Sequence, residues 1–289
     1  MNILCGCASL KSIYILDRYN IKNIYVGFYD EESEKKWPIT FFTVNKRGSY
    51  SNFFGEENFI GLNEEALKRN ISVYVTFNSQ YKKAQMDWLL KAIKFVSIFP
   101  SVKGIIVGDI NLLLKLKEIG YNKTITISTI GNVFNDYAIE FYTSLGATRF
   151  VFDRQTTAKE ILCFLNKYPM YEYEIFLQLG IGCSFIDGYC NNIYINNSPF
   201  CGSFTTRASY KCNLCLLYYL KNYTNVSFKL NNRGSKVLAQ GLSLVKLLER
   251  ILNKNIDFNG FRQLCKKILK KYRNVECNPN ICSCRDLNE

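Results

Sequence analysis

The stretch GIIVGDINLLLKLKEIGYNKTITIS, residues 104–128, decides the fold. Its first run, Gly104–Val107, is short and apolar, as a strand covered on both faces should be. Apolar residues then recur at helical spacing over Leu112–Ile119, and Gly120 follows where a helix stop places glycine. A second apolar run, Thr124–Ser128, closes the unit. Strand, helix, strand in this order is a parallel βαβ unit. Working outward, comparable runs lie at Asn2–Cys5, Asn23–Phe28, Ser72–Phe77, Arg149–Phe152, Glu174–Leu177 and Val226–Leu230, which makes eight. Helical spacing fills Leu10–Tyr19, Met86–Phe99, Tyr137–Leu145 (stopped by Gly146) and Ala158–Leu165. Eight such strands predict an α/β fold, a (βα)8 TIM-like barrel. A doubly wound open sheet is the alternative.

Two connections are longer than a barrel requires. Tyr29–Gly61 follows the second strand and is polar and aromatic; Gly180–Tyr223 follows the seventh and holds five cysteines. The expected organisation is a barrel over residues 1–240, including a Cys-rich loop at 180–222. Residues 241–289 then carry the helices Leu242–Leu252 and Phe261–Tyr272 and a Cys-rich tail. With 48% apolar and 15% aromatic residues the chain can fill a core, so wholesale disorder is excluded. No window approaches 18 uninterrupted apolar residues, so no transmembrane segment is expected. The start, MNILCGCASLKS, has no basic region followed by an apolar one, and the expected compartment is cytoplasmic.

Twelve cysteines stand beside no histidine. The absence removes Ser-His-Asp and Cys-His nucleophile pairs, HExxH zinc sites and any imidazole base. In a reducing compartment clustered thiols favour metal over disulfides. Cys183-SFIDGY-Cys190, Cys201 and Cys212-NL-Cys215 share one loop, and the x2 spacing lets two sulfurs reach one centre. That pattern predicts four thiolates, Cys183, Cys190, Cys212 and Cys215, holding zinc or an iron–sulfur cluster, with Cys201 as an alternate ligand. Cys277-NPNI-Cys282-S-Cys284, with Cys265 one helix earlier, leaves three readings open: a second site, completion of the first, or a frayed end. Cys5, Cys7 and Cys163 read as core residues.

The net charge is +13, with six basic residues and no acid in FRQLCKKILKKYR, residues 261–273. Such a helix suits RNA or another polyanion, and a solvated outer face of the barrel is the plainer alternative. Arg47, Arg154, Lys229 and Arg233 lie near strand ends and are candidate anion holders, since guanidinium forks match carboxylates and phosphates.

Several stretches together resemble the collagenase-like peptidase family U-32, which includes RNA-hydroxylation proteins and the ubiquinone-biosynthesis proteins UbiU and UbiV. They are NIYVG (Asn23–Gly27), VYVTFN (Val73–Asn78), GIIVGD (Gly104–Asp109), ISTIGNVFN (Ile127–Asn135), LGATRFVFDR (Leu145–Arg154) and CSFIDGYC (Cys183–Cys190). FKLNNRGSK (Phe228–Lys236) looks like a worn form of the family's lysine-glutamate-glycine-arginine segment. The resemblance implies a barrel with a 4Fe–4S cluster on cysteines of this loop. It also implies oxygen-independent hydroxylation of an RNA base or a quinone, with prephenate as oxygen source in the RNA-modifying members. Arg154, Lys229 and Arg233 are the catalytic candidates on this reading.

The chain also departs from the family. Asp187-Gly188-Tyr189 stands where serine-glycine-arginine is common, Arg154-Gln155 where an arginine-glutamate pair is, and Ser128-Thr129-Ile130 where serine-threonine-glutamine is. The family's usual fourth cysteine before the last strand is missing. These losses of polar groups keep two alternatives in view: a cluster-binding partner subunit of a homologous U-32 chain, and a zinc-stabilised RNA- or peptide-binding module. A protease is the weakest reading, because the chain lacks a nucleophile–base pair.

Overall fold

The computed structural model describes residues 1–37, 52–177, 212–230 and 235–287 apart from 255, 279 and 281, together with four two-residue strand pieces, β9 (Gly182–Cys183), β10 (Tyr194–Ile195), β11 (Ser198–Pro199) and β12 (Ala208–Ser209). Eight parallel strands form the centre: β1 (Asn2–Gly6), β2 (Asn23–Tyr29), β4 (Ser72–Phe77), β5 (Val102–Val107), β6 (Thr124–Ile127), β7 (Arg149–Val151), β8 (Glu172–Phe176) and β13 (Val226–Leu230). Pairing runs β1-β13-β8-β7-β6-β5-β4-β2, and β1 pairs with β2 as well. Leu4 lies opposite Asn23 on one side while Asn2 lies opposite Ser227 on the other. The ring is therefore closed, and the open-sheet alternative is removed. A ninth strand, β3 (Asn52–Phe54), adds to β2.

Helices return the chain between strands: α1 (Leu10–Arg18), α3 (Glu56–Lys68), α4 (Met86–Ser97), α5 (Ile110–Glu118), α6 (Asp136–Ser144), α7 (Ala158–Lys167) and α8 (Leu216–Leu220). After β13 comes α9 (Ser235–Leu252), which reaches α1, and then α10 (Phe258–Arg273). Starts are set by side chains that satisfy first-turn N–H groups. Asp109 Oδ1 accepts from Leu112 N at 2.8 Å, and Thr157 with Glu160 forms a capping box before α7. Stops are set by left-handed residues: Gly120 (φ +66°) after α5 and, where no glycine is present, Asn20 (φ 53°) after α1 and Asn70 (φ 52°) after α3.

Of the connection Tyr29–Gly61, residues 29–37 and 52–61 are described. It contains α2 (Glu31–Lys36), whose Asp30 cap accepts from Ser33 N, then β3 and the start of α3. Most of the Cys-rich connection, including Cys190 and Cys201, lies outside the described residues.

The core between strands and helices is apolar and continuous, and it includes Cys5 and Cys7, as expected. Cys163 is a correction: it is exposed, because α7 buries Ala158, Ile161, Phe164 and Leu165 instead. Close approach inside the ring fixes Gly104, where an added Cβ would stand 2.2 Å from the Thr124 carbonyl oxygen on the neighbouring strand. The obstacle is backbone, so Gly104→Ala is expected to cost about 1–3 kcal/mol, read as a lower denaturant midpoint at unchanged slope. An unchanged midpoint would contradict the β5–β6 spacing.

Candidate functional site: barrel mouth and thiol cluster

Alternate positions on the strands point into the ring. Leu4, Tyr25, Tyr74 and Ile106 form one small apolar group there, separate from the outer core. Beside it the lining turns polar. Glu174, wholly buried, pairs with Lys229 Nζ at 2.6 Å, and Arg149 Nε lies 3.7 Å from Glu174 and 2.9 Å from Glu172. Each cation also covers a ring, Lys229 over Tyr25 at 4.4 Å and Arg149 over Tyr74 at 4.5 Å. Burial works against the Arg149 charge, but Glu174, Tyr74 and Glu172 outweigh it and push its pKa up. Burial pushes the Tyr74 hydroxyl up. Arg149 stays charged at neutral pH.

Above this network the C-terminal ends of the strands form the open end of the barrel, the face that carries chemistry in such folds. Asn78 Nδ2 donates to Ser128 Oγ at 3.0 Å across β4 and β6, and Gln80 Nε2 donates to the Gly108 carbonyl. Arg154 lies over Phe176 at 4.6 Å, while Lys229 reaches the same ring from below at 5.7 Å. Asn213 Nδ2 donates to the Phe176 carbonyl at 2.7 Å, tying the Cys212–Cys215 turn to the end of β8. A small pocket between them is lined by Asp153, Arg154, Thr156, Phe176, Asn213 and Ser283.

Cys212 and Cys215, both buried, head α8 and face thiols from two other places. Cys215 shares a hydrogen bond with Cys265 of α10, and Cys282 shares hydrogen bonds with Cys284 and Cys277. The C-terminal segment is held there by backbone: Cys212 and Cys282 form a β-bridge, Ser283 N donates to the Cys212 carbonyl, and Ala158 N donates to the Ser283 carbonyl. Burial pushes the Cys212 thiol up to about 12. The Cys284 contact holds Cys282 down at about 6, and the Cys265 contact lowers Cys215. Arg262 and Lys266 on α10 stand beside Cys215 and Cys277, and Arg262 also beside Cys282.

A thiolate, not a thiol, reacts with alkylating agents. In metal-free protein, alkylation of Cys282 should therefore rise through a midpoint near pH 6, and a midpoint near 9.0 would contradict the Cys282–Cys284 contact. The contact lowers Cys282 and raises Cys284, so its contribution grows as pH rises from about 6 towards 9.0 and declines above 9.0, where Cys284 ionises in the unfolded chain but not in the folded one.

Of the residues singled out from sequence, Cys212, Cys215, Arg154 and Lys229 are brought to one side of the mouth. The Cys183 side chain, Cys190, Cys201, Arg47 and Arg233 lie outside the described residues. Lys229 is matched internally by Glu174, deeper than an anion holder at the rim. Among the described residues no three Cys, Asp or Glu side chains already stand around one point as metal ligands. Sequence reading missed Arg149, Glu174 and Ser227, whose Oγ accepts from Arg149 Nη2 at 3.4 Å. Their period-2 placement within apolar runs was the available signal. The basic helix also divides: Phe261, Cys265, Ile268 and Leu269 are buried, Arg262 and Lys266 are half-buried toward the thiols, and Lys267, Lys270 and Lys271 face out, with Tyr272 exposed rather than packed.

A closed parallel barrel with polar strand ends and a buried cysteine turn at its mouth defines a (βα)8 barrel protein. The sequence profile of peptidase family U32 matches residues 8–257, and the chain belongs to that family. The tRNA hydroxylation protein P1 of Bacillus subtilis (strain 168) is 31% identical over 188 residues, covering 65% of this chain and 40% of that protein. The tRNA hydroxylation protein P of Escherichia coli (strain K12) is 28% identical over 169 residues, covering 57% of this chain and 36% of that protein. This chain thus matches less than half the length of either relative. The U32 peptidase Mk0906 shares the fold at a TM-score of 0.56 and 14% identity, covering 81% of this chain and 94% of that one. Among the described residues no helix is long and apolar enough to cross a membrane.

Proposed function

We propose that this chain takes part in oxygen-independent hydroxylation of a tRNA base in the cytoplasm, with a 4Fe–4S cluster held by Cys183, Cys190, Cys212 and Cys215. The observation that carries this reading is the 188-residue match to a tRNA hydroxylation protein, supported by the buried Cys212–Cys215 turn at the barrel mouth. The donor set fits in kind: the chain has no histidine, its two described ligands are buried thiols, and Arg262 and Lys266 offset thiolate charge. When bound, an iron–sulfur cluster supplies redox and Lewis-acid chemistry at that position.

The protein's own groups do the rest. Arg154, fixed over Phe176, presents a fork suited to a phosphate or to the carboxylate of a small oxygen donor. The network of Glu174, Lys229, Arg149 and Glu172 sets two carboxylates against two cations beside the ring interior. Lys267 and Lys271 offer an outward basic face to a polyanion, beside Lys270, which is paired with Glu276 at 3.0 Å. The internal pairing of Lys229 also favours a second reading, in which the chain completes a site on a homologous U32 partner. Hydroxylation by the isolated chain would remove that reading.

Anaerobically purified protein is expected to be brown, to absorb near ~400 nm and to contain about four irons. Colourless, iron-free protein would overturn the cluster.

A further inference from the structure

We infer that an open groove at the end of the barrel opposite the mouth docks an acidic, apolar-bearing segment of a partner protein. The groove lies between α4 and the turn that leads from α5 into β6, and its volume is about 600 Å³. Ile98 follows α4 ahead of β5, and Lys123 immediately precedes β6, so the groove stands at the N-terminal ends of the strands. The residues assigned to hydroxylation lie at the other end, and this inference does not rest on them.

The floor is apolar. Leu90, Ile93 and Ile98 line one wall, and Ile119 and Tyr121 line the other. Ile98 is 67% exposed and Ile119 57%, so each leaves most of its side chain in water and gains from being covered. The local structure does not use Ile119. The stop of α5 runs through the left-handed Gly120, whose N–H reaches the Lys117 carbonyl, and through Tyr121, whose N–H reaches the Leu116 carbonyl. The walls are already joined. Ser97 Oγ of α4 donates to the Tyr121 hydroxyl at 3.4 Å, and Lys123 Nζ donates to the carbonyls of Phe99 at 3.2 Å and Val102 at 2.8 Å. From Leu90 to Ile98 the α4 wall rises about 12 Å, room for two turns of a helix laid along it.

The rim is cationic. Among the described residues, Lys91, Lys94 and Lys123 line the groove and no carboxylate does. Neighbouring acids are engaged elsewhere: Glu32, within electrostatic reach of Lys91, is bound by Lys36 at 2.6 Å, and Glu118 by Lys115 at 2.6 Å. Burial, and then the charge of Lys103, push the Lys123 pKa down, and an anionic side chain entering the groove would offset both. Charge and shape together select the occupant. A second copy of this chain, at +13, would bring like charge to like charge. A bilayer is flat where the groove is concave, and a phosphodiester backbone carries nothing apolar for Ile98 and Ile119. A peptide with apolar anchors and flanking carboxylates satisfies both floor and rim.

The test is fluorescence anisotropy on the full-length chain with a labelled amphipathic peptide of leucine and glutamate. Saturable binding is expected, weakened about tenfold or more by Lys94→Glu and by Ile119→Ser. Both positions are exposed, so the fold should persist, which circular dichroism checks. Binding should also weaken as salt rises and be lost when lysine replaces glutamate in the peptide. No saturable binding, equal affinity for the lysine peptide, or binding untouched by both substitutions overturns the docking site. Should a variant unfold, the salt dependence and the lysine peptide decide on the unaltered chain. Self-association abolished by Ile119→Ser, or co-sedimentation with phosphatidylglycerol vesicles or tRNA abolished by Lys94→Glu, overturns it in favour of that other occupant. Iron retention by Lys94→Glu should equal that of the unaltered chain, so failure of the cluster and failure of this groove are read separately.

Discussion

Glu174→Ala lowers the free energy of unfolding by about 3–5 kcal/mol, measured by urea denaturation. Glu174 is wholly buried, with Lys229 Nζ at 2.6 Å and Arg149 Nε at 3.7 Å. Removing its carboxylate leaves Lys229 without a carboxylate in a low-dielectric interior, while Arg149 retains Glu172 at 2.9 Å. The cost is that of an uncompensated buried charge and exceeds the net worth of the pair. Removing both charges distinguishes the two. Glu174→Leu combined with Lys229→Met replaces ions with apolar groups of similar size, and most of the lost stability should return. A loss below about 1 kcal/mol for Glu174→Ala would place the pair in the class of solvated surface bridges and contradict its burial.

Cys212→Ala and Cys215→Ala are each expected to abolish iron retention, while Cys163→Ala, at an exposed position on α7, leaves it unchanged. Iron and inorganic sulfide counted on anaerobically purified variants check this. The changes are small in volume, so the fold should persist, with circular dichroism unaltered. Cys215→Ala also removes the hydrogen-bond partner of Cys265, and its effect on the α10 contact should exceed that of Cys212→Ala. Iron retained at the unaltered level in both variants would remove the turn from the ligand set.

The eight barrel strands could be read from sequence because each is a short apolar run bounded by polar residues, and Gly120 and Gly146 marked two helix stops. Asn20 and Asn70 make the same left-handed turn without announcing it, since asparagine is common in any loop. Ring closure rests on β1 pairing at both edges, a long-range fact that no local pattern encodes. Reading β8 and β13 as near-continuously apolar hid Glu174 and the pairing of Lys229 with it, because that pairing shows only once alternate residues are assigned to the ring interior. Cys163 could have been placed outside by spacing alone, with Ile161, Phe164 and Leu165 on one face of α7. The meeting of Cys215 with Cys265 and of Cys212 with Cys282 depends on α10 and the C-terminal segment packing against α8 and the turn before it. Their spacing along the chain left that undecided.

The central claim, that this U32 chain supports tRNA hydroxylation with a thiolate-held iron–sulfur cluster, is tested most directly by one measurement. Cells lacking their own tRNA hydroxylation protein are supplied with this chain, with or without Cys212→Ala, under strict exclusion of oxygen. Their tRNA nucleosides are then weighed by mass spectrometry. The account predicts a nucleoside one oxygen heavier with the unaltered chain and none with the variant. Hydroxylated nucleoside at equal levels in both, or in neither, would contradict it.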